Sequence, residues 1–263
     1  MKSVLASGVV FVIILSAFAS SLPPVKAVSV SASQISLSAI TQSLFMFYDS
    51  SGYSWHSEFA VNNGRNIHRV DLRTVLSQGN AAVSTYTVIP FYSNSSAGNL
   101  AGGSFGFTKL GSLIYISAQY NAGTGIIAFN PSTGASNSYF LVGDYGQPSG
   151  LINDGRVLYW GAKNYIDTFD TQTQTFGSIS TSVEGLSVCK PYDLILRGST
   201  IYFTTGGGPC AGIGKVNTDG SGLSVIRTGS SALFLLNRDS DYWFTDNVDH
   251  ALKRCASPCL SLS

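Results

Sequence analysis

"GSTIYFTTGGGPCAGIGKVNTDGSG", residues 198–222, is the stretch that decides the fold. A glycine-led turn opens it, and an apolar run with Tyr202 alternates as a half-buried strand does. A glycine-rich loop follows, a second apolar run starts at Ile213, and Asn217 opens a polar turn. The same order recurs in "GSLIYISAQYNAGTGIIAFNPSTG" (111–134) and "GRVLYWGAKNYIDTFDTQTQ" (155–174). Tyr115, Tyr159, Tyr202 and Tyr242 are spaced by 44, 43 and 40 residues, and Ile126, Ile166, Ile213 and Leu252 keep step with them. A weaker earlier copy puts Phe59 in the Tyr position and Ile67 in the Ile position. Three residues past each Ile-type anchor stands Val70, Phe129, Phe169, Val216 or Cys255. Asp71, Asn130, Asp170 and Asn217 then open turns in the first four copies, as Asp and Asn do by bonding nearby backbone.

In the unit around Tyr202 four strands are predicted: Tyr192 to Arg197, Thr200 to Thr205, Gly212 to Asn217 and Leu223 to Thr228. Four short antiparallel strands repeating every 40 to 47 residues is the period of a propeller blade. The expected fold is all-β, a single β-propeller domain over 28–263 with about five four-stranded antiparallel blades; six are admitted if Val28 to Ile40 belongs to a further one. That segment, "VSVSASQISLSAI", alternates apolar residues with Ser. The fifth unit ends in "CLSLS", too short for an outer strand, so Val28 to Ile40 is expected to complete the last blade and cover its open edge. The nearest approach to a helical period is Ile67 to Leu76, read as strand followed by turn. The Ser/Asn/Gly-rich stretch Ser93 to Ser104, with a glycosylation sequon at Asn94, is read as an exposed insertion.

"IYFTTGGGPCAGIGKVNTDGSGLSVIRTG" (201–229) resembles the YWTD-type β-propeller repeat, in which Tyr-Trp-Thr-Asp precedes an Ile-led strand and an Asp-Gly turn. Tyr242-Trp243-Phe244-Thr245-Asp246 is a degraded copy of that motif, and Tyr159-Trp160 lacks its Thr-Asp. The resemblance extends from Gly111 to the C-terminus. It implies a propeller used for recognition, usually of six blades, against the five units counted here.

The N-terminus carries Lys2, the apolar run Gly8 to Ala19 and two small-residue cleavage patterns. Residues 1–27 are therefore read as a signal peptide, with cleavage after Ala19 or Ala27 and secretion to the extracellular or cell-surface space. No later segment is long and apolar enough to be a transmembrane helix. Lys plus Arg number 15 against 14 Asp plus Glu, and charged residues make up 11% of the chain, far below the roughly 25% of ordinary soluble domains. Such a balance excludes a basic nucleic-acid surface. Cys189, Cys210, Cys255 and Cys259 are even in number, which in an exported chain points to two disulfides rather than a metal site. Three connectivities exist; the blade reading selects Cys189 with Cys210 and Cys255 with Cys259. No metal and no cofactor are expected.

Loops between second and third strands, and links between blades, emerge on one face of a propeller. The candidate binding residues there are Tyr120, Asn121, Tyr145, Lys163, Asn164, Tyr165, Asp246, Asp249 and His250. Tyr and Asn give contact area and adaptable hydrogen bonds, which favours a non-enzymatic module for an extracellular protein or glycan. A carbohydrate-active hydrolase or lyase using His250 and carboxylates is the alternative, and a surface-layer or filament component a second. The first of these needs two acids facing each other roughly 5 to 10 Å apart. His56 and His68 fall in predicted strands, where alternation can turn either to solvent, and have no assigned role.

Overall fold

The computed structural model describes residues 43–49, 51–58, 66–87, 100–120, 123–142, 148–182, 190–205, 211–228, 232–238, 241–246 and 251–255. They form a five-bladed β-propeller. Blade 1 is β1 (Ser43–Asp49), β2 (Tyr53–Glu58), β3 (Asn66–Asp71) and β4 (Val83–Thr87). Blade 2 is β5 (Leu100–Leu110), β6 (Leu113–Tyr120), β7 (Gly123–Phe129) and β8 (Ser136–Val142). Blade 3 is β9 (Ser149–Asn153), β10 (Val157–Ala162), β11 (Tyr165–Asp170) and β12 (Thr175–Ser180). Blade 4 is β13 (Pro191–Arg197), β14 (Thr200–Thr205), β15 (Gly212–Asn217) and β16 (Ser224–Thr228). Three strands of blade 5 are described: β17 (Ala232–Arg238), β18 (Asp241–Asp246) and β19 (Ala251–Cys255). The segment expected to complete that blade, Val28 to Ile40, and the signal-peptide region both lie outside the described residues.

First strands of successive blades touch in series, β1 with β5, β5 with β9, β9 with β13 and β13 with β17. They are the inner strands. Between blades lies the core, and strand register explains the repeat. Ile67, Ile126, Ile166, Ile213 and Leu252 pair across to Ser57, Ser117, Gly161, Thr204 and Thr245. Two residues back along each second strand stand Trp55, Tyr115, Tyr159, Tyr202 and Trp243, on the same face because side chains alternate. The fifth aromatic anchor is thus Trp243, not Tyr242, and the first is Trp55; Phe59 lies outside the described residues. Aromatic and Ile project toward the next blade. Trp55 and Ile67 pack on Ile114, Ile116, Ile127 and Phe129; Tyr115 and Ile126 on Leu158, Trp160 and Phe169; Tyr159 and Ile166 on Ile201, Phe203 and Val216. Each such side chain taken fully from water contributes about 1.5–3 kcal/mol.

The turn-opening residues act as their chemistry predicts: the carboxylate of Asp170 accepts the amides of Gln172 and Thr173, and the Asn130 carbonyl those of Ser132 and Thr133. Two local readings change. After β3 and a turn comes one helical turn, Val75–Gln78, continued as a 3-10 turn, Gly79–Ala82; Val75 and Ala82 bury against Val70, so packing selects the helix that periodicity was too short to announce. The Ser93 to Ser104 stretch also ends earlier than composition implied, since Leu100 already begins β5.

At Gly161 a side chain is excluded by the neighbouring inner strand: a Cβ there would overlap the backbone carbonyl of Pro191. Gly161→Ala is accordingly expected to cost about 2 kcal/mol, lowering Tm by roughly 4–8 °C, whereas Ser178→Ala on an exposed strand position leaves Tm unchanged. Thermal unfolding followed by circular dichroism distinguishes the two; equal melting of both variants contradicts this packing.

Candidate functional site

On the loop face the best-defined structure belongs to blades 3 and 4. β10 and β11 close through the pair Ala162↔Tyr165, leaving Lys163 and Asn164 as a two-residue turn. Lys163 holds φ at 44°, in the left-handed region that favours glycine. A residue with a Cβ pays about 1 kcal/mol or more for that conformation. The turn is braced from the outer strand. Thr181 donates both its amide (3.1 Å) and its hydroxyl (2.7 Å) to the Asn164 carbonyl, and Asn164 Nδ2 donates to Ser182 Oγ at 3.2 Å. Lys163 is exposed and Tyr165 is 38% exposed.

The next blade begins alongside. Buried Ser149 donates its hydroxyl to the Pro191 carbonyl at 2.5 Å and lies 3.3 Å from the Gly161 carbonyl, tying the starts of β9 and β13 to the end of β10. Tyr192 follows, 37% exposed, with the Lys190 ammonium 5.1 Å from its ring centroid. One residue further, Asp193 turns inward. Its carboxylate accepts the amide of Leu194 at 3.0 Å and that of Leu235, on the inner strand of blade 5, at 2.9 Å. Burial pushes its pKa up to about 6, outweighing the two amides, which pull the other way. Beneath Tyr165, and on the same face of β11, Asp167 is buried opposite Trp160.

Of the residues the sequence singled out, Lys163, Asn164 and Tyr165 come together in this turn. Tyr120 ends β6 and Cys255 ends β19; Asn121, Tyr145, Asp249, His250, Cys189, Cys210 and Cys259 lie outside the described residues. Asp246 is buried at the end of β18 and accepts a hydrogen bond from Lys253 Nζ at 2.8 Å, so its carboxylate braces the β18–β19 hairpin. Asp193, one of the carboxylates the sequence offered for a carbohydrate-cleaving site, turns inward instead, and the exposure of Tyr192 is hidden by a register irregularity between Pro191 and Leu194 that breaks the alternation of β13.

Neither histidine faces solvent. His56 and His68 are buried cross-strand partners, His56 Nε2 hydrogen-bonded to Ser54 Oγ at 2.5 Å and His68 Nδ1 to Thr85 Oγ1 at 2.9 Å. Burial first, and the neighbouring His68 second, lower the pKa of His56 to about 4. Among the described residues no three His, Cys, Asp or Glu side chains converge as a metal site. The carboxylates of Asp49, Asp71, Asp154, Asp170 and Asp219 each close a local turn by accepting backbone amides.

No protein-family model matches the chain, and no curated protein sequence does. It is similar in structure to the extracellular domain of a putative one component system from B. thetaiotaomicron: TM-score 0.59, 16% identity, covering 84% of this chain and 28% of that one. The likeness is one of fold. The chain spans 28% of the length of that neighbour. No helix among the described residues is long and apolar enough to cross a membrane.

Asp193 gives the protein a pH signature. Its carboxyl titrates near 3.8 when unfolded and near 6 when folded. Between those values the folded state binds more protons, so this group's contribution is complete below about pH 4 and is lost as pH rises through 6. The loss amounts to at most about 3 kcal/mol. Asp170, held down to about 2 chiefly by its hydrogen bonds from Arg156, acts the opposite way and below pH 4. Buried His56, lowered to about 4, acts in the opposite sense over the same range, so the signature is a difference: between pH 4 and 7 the wild-type urea midpoint is expected to fall relative to that of Asp193→Asn, and a constant difference refutes the assignment.

Proposed function

We propose that the chain is an exported, non-enzymatic binding module that presents the loop face of its propeller to a protein or glycan ligand. The observation that carries this reading is the braced turn at Lys163 and Asn164, which holds Lys163 and Tyr165 exposed at the tip of the β10–β11 hairpin on that face. A rigid two-residue turn holding a polar and an aromatic side chain outward loses little entropy on binding. The resemblance to YWTD-type repeats supports recognition over catalysis. So does the engagement of the described turn aspartates in their own backbone, because an acid–base pair would need them turned into a common space. Export is supported by the Gly8 to Ala19 run with its cleavage patterns and by the neighbour's description as an extracellular domain. Cys189–Cys210 and Cys255–Cys259 disulfides belong to the same reading.

Two measurements test it. Intact mass of the exported protein is expected to place its first residue at Ser20 or Val28, and an exported chain still beginning at Met1 contradicts the signal peptide. In a binding screen against glycans and secreted proteins, Tyr165→Ser/Tyr192→Ser is expected to lose at least tenfold in affinity for any ligand found, with Tm unchanged. Undiminished binding by that variant moves the site elsewhere, and chemical conversion of the ligand by the wild type replaces binding with catalysis.

A further inference from the structure

Blades 2 and 3 meet through a packed apolar cluster that includes Tyr115, Ile126, Trp160 and Phe169, yet polar side chains are built into the same seam. Ser117 is the cross-strand partner of Ile126, and Thr124 stands two residues before Ile126 on β7, so alternation turns both toward blade 3. Trp160 faces back across the seam, and Asp167, its cross-strand partner on β11, shares that face. All four are at most 2% exposed. Ser117 Oγ, Thr124 Oγ1 and Trp160 Nε1 make no hydrogen bond among the described residues. Buried polar groups are rarely left so, and three in one seam call for a partner from outside the chain.

The repeat accounts for the apolar side chains and not for these. At the place of Trp160 stand Phe203 in blade 4 and Phe244 in blade 5, paired with Gly214 and Lys253. A ring without an N–H therefore fills that place as well. At the place of Ser117 stand Thr204 and Thr245, whose hydroxyls accept the amides of Asp193 at 3.1 Å and Phe234 at 3.2 Å on their own inner strands. The Ser117 hydroxyl has no counterpart of that bond among the described residues. Packing alone selects an apolar ring at the first place and an internally bonded hydroxyl at the second.

We propose that the seam between blades 2 and 3 is a binding site for neutral hydroxyl groups. The indole N–H only donates, which rules out a cation as its partner. The carboxyl of Asp167, directly across the ladder from Trp160, stands against a simple anion. The two alcohols both donate and accept. An O–H group suits every member of the set, since it accepts from Trp160 and donates to Asp167 or to either alcohol. The row runs toward the loop face, where Thr124 pairs with Gln119 beside the β6–β7 turn. On β11, two residues from Asp167 and on the same face, Tyr165 is 38% exposed at the hairpin tip. Two sources of hydroxyl can fill such a row: water enclosed in the seam, and the paired hydroxyls of a sugar entering past Tyr165. The second rests on the binding reading above; the first does not.

The test uses the full mature protein, isotope-labelled for nuclear magnetic resonance. The chain has three tryptophans, so the indole region is simple, and Trp160→Phe assigns one signal by its loss. Trp55 Nε1 donates to Asp49 and serves as the reference. In the protein alone, cross-relaxation between a bound water and the Trp160 indole proton is expected, with none at Trp55. Neutral methyl glycosides are then added: a shifted Trp160 signal that loses its water peak identifies sugar as the source, and an unchanged signal identifies water. Stability supplies an independent sign. Thr124→Val exchanges the hydroxyl for a methyl of the same shape, and Ser117→Ala removes one oxygen. Hydroxyls bonded in a filled site make each variant melt roughly 2–4 °C lower, whereas hydroxyls buried without partners make it melt higher. A Tm unchanged or raised in both variants overturns the proposal, as does a Trp160 indole proton that meets neither water nor glycoside. Absence of every glycan and protein ligand, with the water peak present, brings down the binding module and leaves the hydroxyl site standing. A ligand that binds while the seam shows neither water nor sugar does the reverse.

Discussion

Each blade of this propeller has an apolar face that its own sheet leaves bare, and the following blade is what covers it. The Trp or Tyr and the Ile that mark every unit are the two side chains committed to that contact, so the repeat in the sequence is a record of inter-blade packing more than of strand formation. Four strands with one solvated face have little stability alone; joined through Ile67, Ile126, Ile166 and Ile213, all at most 2% exposed, they become a continuous core. Inner strands must then approach closely enough for these side chains to meet. At Gly161, on the second strand of blade 3, the approach of Pro191 leaves no room for a Cβ.

That constraint also makes the loop face. Because each blade is pinned by its neighbour, the turns and links at its end are held at fixed positions around the axis, and their side chains are free of packing duty. On the opposite face, turns are closed by Asp and Asn bonding their own backbone and by pairs such as Arg156 with Asp170. Those charges are used up locally. The loop face at blades 3 and 4 spends its polar bonds differently, on Thr181, Ser182 and Ser149, and leaves Lys163, Tyr165 and Tyr192 turned outward.

The period made much of this legible. In the unit around Tyr202 the predicted strands match the observed ones to within a residue, since alternation, glycine-led turns and the Asn217 turn all agreed there. Where two aromatic residues adjoin, as at Tyr242 and Trp243, alternation alone does not say which faces the next blade, and only the pairing of Leu252 with Thr245 does. The Lys163 to Tyr165 turn was readable because a polar pair between two strands is turn chemistry. Tyr192 and Asp193 were not, for the irregular register of β13 sends Tyr192 outward and Asp193 inward at a point where composition looks the same. His56 and His68 show the same limit: their burial depends on the phase of the strand, and their pairing on a cross-strand register no single strand reveals.

The junction between the last blade and the first differs in chemistry from the other four. Leu252 is 59% exposed where its four counterparts are buried, and on the side of blade 1 that borders the junction Ser54, His56 and His68 occupy a surface that Ile114, Ile116 and Ile127 form in blade 2. Hydrogen bonds from hydroxyl to imidazole satisfy these polar side chains within blade 1 itself. In a ring of five, the blade opposite the junction is blade 3. The braced turn at Lys163 stands on it, with two apolar seams between it and that junction in either direction, so the order of the turn rests on apolar packing on both sides.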